Sequence, residues 1–145
     1  MQGNIKLCFV CTGNTCRSFM AERIMKKMIK KEGLTFVKVS SRGLNALGDD
    51  SAPNAMLALK KLGYSSVKRK SQKLNRIDQK TLYIAPTTAI KNKIAGRVIE
   101  MKDLIGHEIA DPYGQGQEEY LEVAKDIEKA CQTLIDKLKK IGGQL

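Results

Sequence analysis

Tryptophan is absent from the 145-residue chain, and Tyr and Phe raise the aromatic share to only 5%. Stacking platforms for nucleic-acid bases are therefore poorly supplied. No apolar run approaches the ~18 residues that a membrane span requires. The start, Met1-Gln2-Gly3-Asn4, has no basic n-region, and the run Leu7 to Val10 is far shorter than a signal h-region. Histidine occurs once, at His107, which leaves little imidazole for a metal site. Acidic residues are few, 15 against 26 Lys and Arg, for a formal charge of +11. The basic residues are scattered in pairs such as Lys26-Lys27, Lys30-Lys31, Lys60-Lys61 and Lys139-Lys140. Most fall on predicted solvent faces of helices, so the excess reads first as solvated surface and second as attraction for anionic substrates. Neither a nucleic-acid nor a membrane partner is expected. Four cysteines without secretory features point to a reducing, cytoplasmic setting. The hydrophobic share of 42% can build one core, and the length predicts a single domain over residues 1–145.

Strand and helix patterns alternate along the chain. Ile5 to Val10 reads as a buried strand. Met20, Ile24 and Met28 recur every four residues, predicting a helix over 18–32 with Gly33 as its C-terminal cap. Thr35 to Ser40 is β-branched and alternating, a second strand. Ser51 is predicted to cap a helix carrying Ala55, Met56, Leu59 and Leu62, with Pro53 in its first turn and Gly63 closing it. Residues 64–79 are polar and basic, a predicted loop with a short turn of helix. A third strand is expected over 81–85, a short helix over 87–93 and a fourth strand over 97–101. A loop with Gly106, Pro112, Gly114 and Gly116 precedes a long helix over 118–140, whose stripe runs from Leu121 through Cys131 to Leu138. The expected architecture is α/β, a four-stranded parallel sheet with helices on both faces and right-handed crossovers. Ligands of such Rossmann-like sheets bind at the carboxyl ends of the strands. The loops after Val10, Ser40 and Met101 should share that rim.

The loop after the first strand is Cys11-Thr12-Gly13-Asn14-Thr15-Cys16-Arg17-Ser18. A loop of this length can curl its N–H groups around one tetrahedral anion, and Gly13 and Asn14 tolerate the positive φ such a cradle needs. The following helix adds its positive end. Arg17 offers a planar fork to two phosphate oxygens. At the base of the cradle, Cys11 is expected to ionise at neutral pH, with Ser18 donating a hydrogen bond to the sulfur. Two other patterns lie in the same residues. Cys8, Cys11 and Cys16 mimic a metal spacing, C-x2-C-x4-C, but Cys8 lies inside an apolar strand and His107 is remote. Cys8-x-x-Cys11 mimics a redox pair, but Cys8 should be buried.

The loop with its sequel Met20-Ala21-Glu22, and the later Asp111-Pro112-Tyr113-Gly114, resemble the two signatures of low-molecular-weight protein-tyrosine phosphatases. The resemblance runs from residue 5 to about 140 and implies the phosphotyrosine protein phosphatase I-like fold. Carried over by position, it implies that Cys11 is a nucleophile forming a phosphocysteine and that Arg17, with the backbone of 12–17, binds the phosphoryl oxygens. Asp111 would protonate the leaving group and then activate water. Asn14 would hold the loop, with Ser41 of Ser41-Arg42-Gly43 as its partner, and Tyr113 would line the cleft. Cys16 resembles the family's second loop Cys, which can trap Cys11 as a disulfide, or else is a small packed residue. Implied ligands are phosphorylated proteins, with inorganic phosphate or sulfate at the loop; no metal or other cofactor is implied.

The chain departs from the family pattern at Phe19, usually Pro, and at Arg69-Lys70-Ser71, where the family often carries a His before a Ser. It departs again at Pro86 to Ile90, where bacterial relatives often read Met-Thr-x-x-His. None of these positions is expected to take part in the chemistry. Thr15, where tyrosine-directed members usually have a bulkier aliphatic residue, resembles the protein-arginine phosphatase subgroup, as does Ser41-Arg42-Gly43. Leu47, expected on the opposite wall, is not aromatic, which weakens ring stacking for phosphotyrosine. Phosphoarginine and phosphotyrosine both stay open as substrates. Arsenate reduction on the same scaffold would need resolving cysteines that residues 64–95 lack, and a non-catalytic anion-binding module would need neither Cys11 nor Asp111.

Overall fold

Leu7 to Val10 alternate between two apolar environments, which is why this segment occupies the middle of the sheet. Leu7 and Phe9 enter one core, and Cys8, Val10 and Cys11 the other. In the computed structural model, which describes residues 4–142, this strand is β1 (Ile5–Cys11). It pairs in parallel with β2 (Val37–Gly43) on one side and β3 (Thr81–Ala85) on the other, and β3 pairs in parallel with β4 (Arg97–Glu100). The order is β2-β1-β3-β4, with the expected parallel hydrogen bonding throughout.

The larger core joins the Leu7 and Phe9 face to α1 (Arg17–Glu32), α2 (Pro53–Lys61) and α5 (Gln117–Gly142). On α5, Ala124, Ile127, Cys131, Leu134, Ile135 and Leu138 are all buried, so the predicted stripe is the packing face. Gly33 ends α1 at φ 67°, with its N–H bonded to Ile29 and Lys30 carbonyls, as the sequence predicts. The smaller core sits on the other face. It packs Ile90 of α3 (Thr88–Lys91) and Ile94 with Leu74 and Ile77.

Several local expectations are corrected. The second strand runs three residues further than predicted because its end pairs with the whole of β1, Cys11 opposite Gly43. The residue capping α2 is Ala52, and Ser51 is buried one residue earlier. Its hydroxyl accepts from the Arg69 N–H at 2.8 Å and donates to the Arg69 carbonyl at 3.0 Å, a use that competes with capping. Residues 64–79 contain no turn of helix; they are extended, with bridges Asp50–Lys70 and Gly43–Lys73 tying them to the segment after β2. A short helix, α4 (Lys102–Ile105), was not predicted and closes on Gly106 at φ 89°. Among the described residues no helix is long and apolar enough to cross a membrane.

Candidate active site

The loop between β1 and α1 curls over the carboxyl edge of the sheet because its neighbours hold its backbone. Leu44 N donates to Cys11 O, Asn45 N to Thr12 O and Ala52 N to Thr15 O, each at 2.9 Å. The base of the curl is a close approach. A Cβ on Gly43 would lie 2.8 Å from Thr12 O and 2.9 Å from both Asn14 N and Gly13 C. Only a residue without a side chain fits there. Asn14 takes the left-handed conformation, φ 57°. Gly13 does not, contrary to expectation, and a Cβ there would meet only Thr15 Oγ1 at 3.7 Å.

Cys11 Sγ is the focus of the loop. It accepts from Asn14 N at 3.3 Å and Ser18 N at 3.5 Å, and Ser18 Oγ lies 2.9 Å away. The first turn of α1 has no side-chain cap and no acidic residue, so its positive end is turned on this sulfur. Arg17 is buried. Its Nη1 donates to Ile109 O at 2.9 Å, its Nη2 lies 3.8 Å from Asp111 Oδ2, and its Nε has no protein partner. That leaves the Nε edge of the fork to an anion in the loop.

Asp111 is half-exposed, and its Oδ1 accepts from Tyr113 N at 3.1 Å and from Cys16 Sγ at 3.4 Å. Burial, helped by the charges of Cys11 and Asp111, pushes the Cys16 thiol far up, so it stays a proton donor at neutral pH. The loop after β1, the segment after β2 and the loop carrying Asp111 therefore share the predicted rim.

Beside the loop lies a cleft lined by Thr15, Asp49, Asp50, Tyr113 and Tyr120, among others. Tyr113, 81% exposed, stands on its wall. Burial and the charges of Cys16, Asp111 and Tyr113 push the Tyr120 hydroxyl up to about 12. Leu47 is 84% exposed and does not line this cleft; Asp49 and Asp50 stand there instead.

Below the loop is a layer of polar groups that sequence reasoning only partly identified. Asn14 Nδ2 donates to Ser41 Oγ at 3.0 Å, the predicted pairing, and to Ser18 Oγ at 2.8 Å. Its Oδ1 accepts from Gln72 N at 3.0 Å and Arg69 Nη2 at 3.3 Å. Arg69 also donates to Ser41 Oγ at 2.7 Å and to Glu22 Oε1 at 2.6 Å. Burial alone would raise the Glu22 carboxyl, but hydrogen bonds from Lys26, Ser41 and Arg69 outweigh it and hold the group low. Arg69 thus enters the site, where the sequence placed it outside. Its only sequence signal is that it lies in Arg69-Lys70-Ser71, where the family that the chain resembles often has a His before a Ser.

The chain is similar to known proteins over most of its length. A family profile described as low molecular weight phosphotyrosine protein phosphatase matches residues 6–143. A protein-arginine-phosphatase of Geobacillus stearothermophilus is 34% identical over 146 residues, covering 92% of this chain and 96% of that protein. The low molecular weight protein-tyrosine-phosphatase Etp of Escherichia coli (strain K12) is 29% identical over 144 residues, covering 90% and 93%. Among solved structures, a mutant of the YwlE arginine phosphatase with a phosphorylated active-site serine superposes with a TM-score of 0.84 at 30% identity, covering 94% of this chain and 97% of that one.

Proposed function

The chain belongs to the low molecular weight phosphotyrosine protein phosphatase family, and on that premise we propose that it hydrolyses phosphoarginine in proteins, with phosphotyrosine as the second reading. The observation that carries the reaction is the set of donors converging on Cys11 Sγ, two backbone amides and one hydroxyl. In the first step the Cys11 sulfur attacks phosphorus, an S–P bond forms, and the bond from phosphorus to the leaving nitrogen or oxygen breaks. The Asp111 carboxyl gives its proton to that departing atom. In the second step the Asp111 carboxylate takes a proton from water. The water oxygen attacks phosphorus, the S–P bond breaks, and inorganic phosphate leaves. Arg17 and the amides of residues 12–17 hold the equatorial oxygens through both steps. Thr12, Gly13, Asn14, Thr15, Cys16 and Ser18 shape this cradle, and the same loop would accept inorganic phosphate or sulfate. The relative carrying a phosphorylated active-site serine supports an intermediate on the equivalent side chain.

The substrate preference rests on the cleft. Thr15 on its wall leaves room where a bulkier aliphatic side chain would crowd a planar group; Asp49 and Asp50 also line the cleft, and with Asp50 paired to Lys70 and Lys68, Asp49 is the acidic group left to meet a cation. Phosphoarginine presents a dianion to the loop and a cation to the wall, so both signs are matched. Phosphotyrosine remains a second reading because Tyr113 is exposed beside the loop and could stack on its ring. Four unbridged cysteines favour a reducing compartment, and the reading assigns the cytoplasm.

The test is a side-by-side assay on phosphoarginine and phosphotyrosine peptides, with and without a metal chelator. A higher kcat/KM on phosphoarginine, unchanged by chelator and lost in Cys11→Ser, is expected. Near-normal turnover by Cys11→Ser, or activity that needs metal, would overturn the reading.

A further inference from the structure

Two positions where the chain departs from the family pattern touch one another. The Arg69 guanidinium carbon lies 5.7 Å from the centre of the Phe19 ring, within reach of a cation–π contact. Phe19 is fully buried, and its ring also carries Arg23 at 5.0 Å. Glu22, one helical turn along from Phe19, is buried and accepts from Arg69 Nη1. Ser51 grips the Arg69 backbone at both its N–H and its carbonyl. The guanidinium is therefore fixed by a ring, a carboxylate and its own backbone, and its Nη2 is turned up at the groups under the phosphate loop.

We propose that Arg69 is a positioning residue of the phosphate loop, which with Glu22 and Phe19 fixes the direction of the hydrogen bonds leading to Cys11. The logic is one of donors and acceptors. Arg69 Nη2 and Gln72 N both donate to Asn14 Oδ1, so the Asn14 amide nitrogen must face Ser18 and Ser41. Ser41 Oγ accepts from Asn14 and from Arg69, so its one proton goes to Glu22 Oε1, 2.5 Å away. Ser18 Oγ accepts from Asn14, so its proton is free to point at Cys11 Sγ at 2.9 Å, closer than its alternative, the Arg42 carbonyl at 3.4 Å. Without Arg69, the Ser41 hydroxyl would lose one of its two donors and be free to turn, Asn14 Oδ1 would be held by the Gln72 amide alone, and the hydrogen bonds leading to Ser18 would be less firmly directed.

The inference rests on Cys11 being the nucleophile, so the experiment separates the two. Arg69→Ala, Ser18→Ala, the double variant and Arg23→Ala are compared on an aryl phosphate, and Cys11 alkylation by iodoacetamide is timed at neutral pH. Arg69→Ala is expected to lower kcat about 10- to 100-fold with KM changed less than ~3-fold, the scale of a small misplacement in an active site. In the Ser18→Ala background the same change should cost less than ~2-fold, because the two act through one path. Alkylation should slow in step with kcat. Arg23→Ala, which loosens the other stack on Phe19 but donates to Ser65 instead of the loop, should keep wild-type kcat. Multiplicative losses in the double variant, or an Arg69→Ala enzyme of wild-type kcat, would overturn the role of Arg69. Wild-type protein without turnover would instead overturn the phosphatase reading, while the alkylation series would still decide for or against Arg69. Should Arg69→Ala fail to fold, Arg69→Lys decides the matter. A kcat loss that disappears in the Ser18→Ala background supports the proposal, and a wild-type kcat overturns it.

Discussion

Gly43→Ala is the sharpest perturbation that the geometry offers. The added methyl would sit 2.8–2.9 Å from three backbone atoms of residues 12–14, where ordinary contact begins at 3.4 Å. The overlap is thus about half an ångström on each of three sides. None of the three atoms belongs to a flexible side chain, so relief requires moving the phosphate loop or the end of β2. The end of β2 is held. Gly43 N donates to Gln72 O and Gly43 O accepts from Leu74 N, each at 2.9 Å. The loop should therefore yield. Overpacking of this kind costs about 1–3 kcal/mol, which lowers Tm by roughly 2–12 °C for a chain of this size. Activity should suffer more than stability, because the displaced atoms include Asn14 N, a donor to Cys11 Sγ. Where 1 Å of misplacement costs ~100-fold, a shift of about half that at the nucleophile predicts a fall in kcat of roughly 10-fold. Steady-state kinetics on an aryl phosphate together with a thermal melt will decide. A variant that keeps both wild-type kcat and wild-type Tm would refute the close-approach argument.

Asp111→Asn should reduce kcat by roughly 10²- to 10⁴-fold for poor leaving groups and much less for good ones; a series of aryl phosphates of graded leaving-group pKa measures this, and equal losses along the series would remove Asp111 as the acid. Thr15→Ile should move the ratio of kcat/KM values toward phosphotyrosine by about 10-fold or more, the scale of one or two methylenes in a pocket, and an unchanged ratio would release Thr15 from substrate choice. Glu22→Gln should cost about 2–3 kcal/mol at neutral pH, below the ~3–5 of a fully buried pair because Arg69 is partly exposed. Because the folded protein holds the Glu22 carboxyl low, its contribution is complete above the unfolded value near ~4.3 and is lost as pH falls through the folded one. The Tm gap between wild type and Glu22→Gln should therefore be constant from neutral pH to about 5 and narrow below ~4.3, and a gap that stays constant into strong acid would contradict the assignment.

What could be read from the sequence divides along a physical line. Strands β1, β3 and β4 and the long helices declare themselves by periodicity, since each needs only its own residues to show which face is apolar. The end of β2 does not, because Ser41, Arg42 and Gly43 carry no strand signal and are held there by pairing with Phe9, Val10 and Cys11. Residues 64–79 mislead for the same reason. Their shape comes from contacts with Asp50, Ser51 and Gly43, all distant in sequence. Ser51 shows local chemistry overruled by tertiary chemistry, a good cap spent on the Arg69 backbone.

The site divides in the same way. Cys11, Asn14, Arg17 and Ser18 lie in one eight-residue loop, and their spacing alone implies an anion cradle. Its support is scattered over Glu22, Ser41, Gly43, Arg69 and Gln72, and no spacing rule links these positions. Phe19 and Arg69 make the point most clearly. Taken singly each is an unexplained departure, a bulky ring where Pro is usual and a cation where His is common. Together they form one contact, a guanidinium lying on a ring beside a buried carboxylate. The guanidinium has one face on the ring and its edge shared among Glu22, Ser41 and Asn14, and it can only donate. The direction of the hydrogen bonds above it then does not depend on a tautomer at position 69, as it would with an imidazole in that place. Exchanging either partner alone should therefore be worse than exchanging both. Phe19→Pro strips the guanidinium of its ring, and Arg69→His leaves the ring to Arg23 alone. A double variant more active than Arg69→His alone would show that the two positions form one unit, and strictly multiplicative losses would show that they do not.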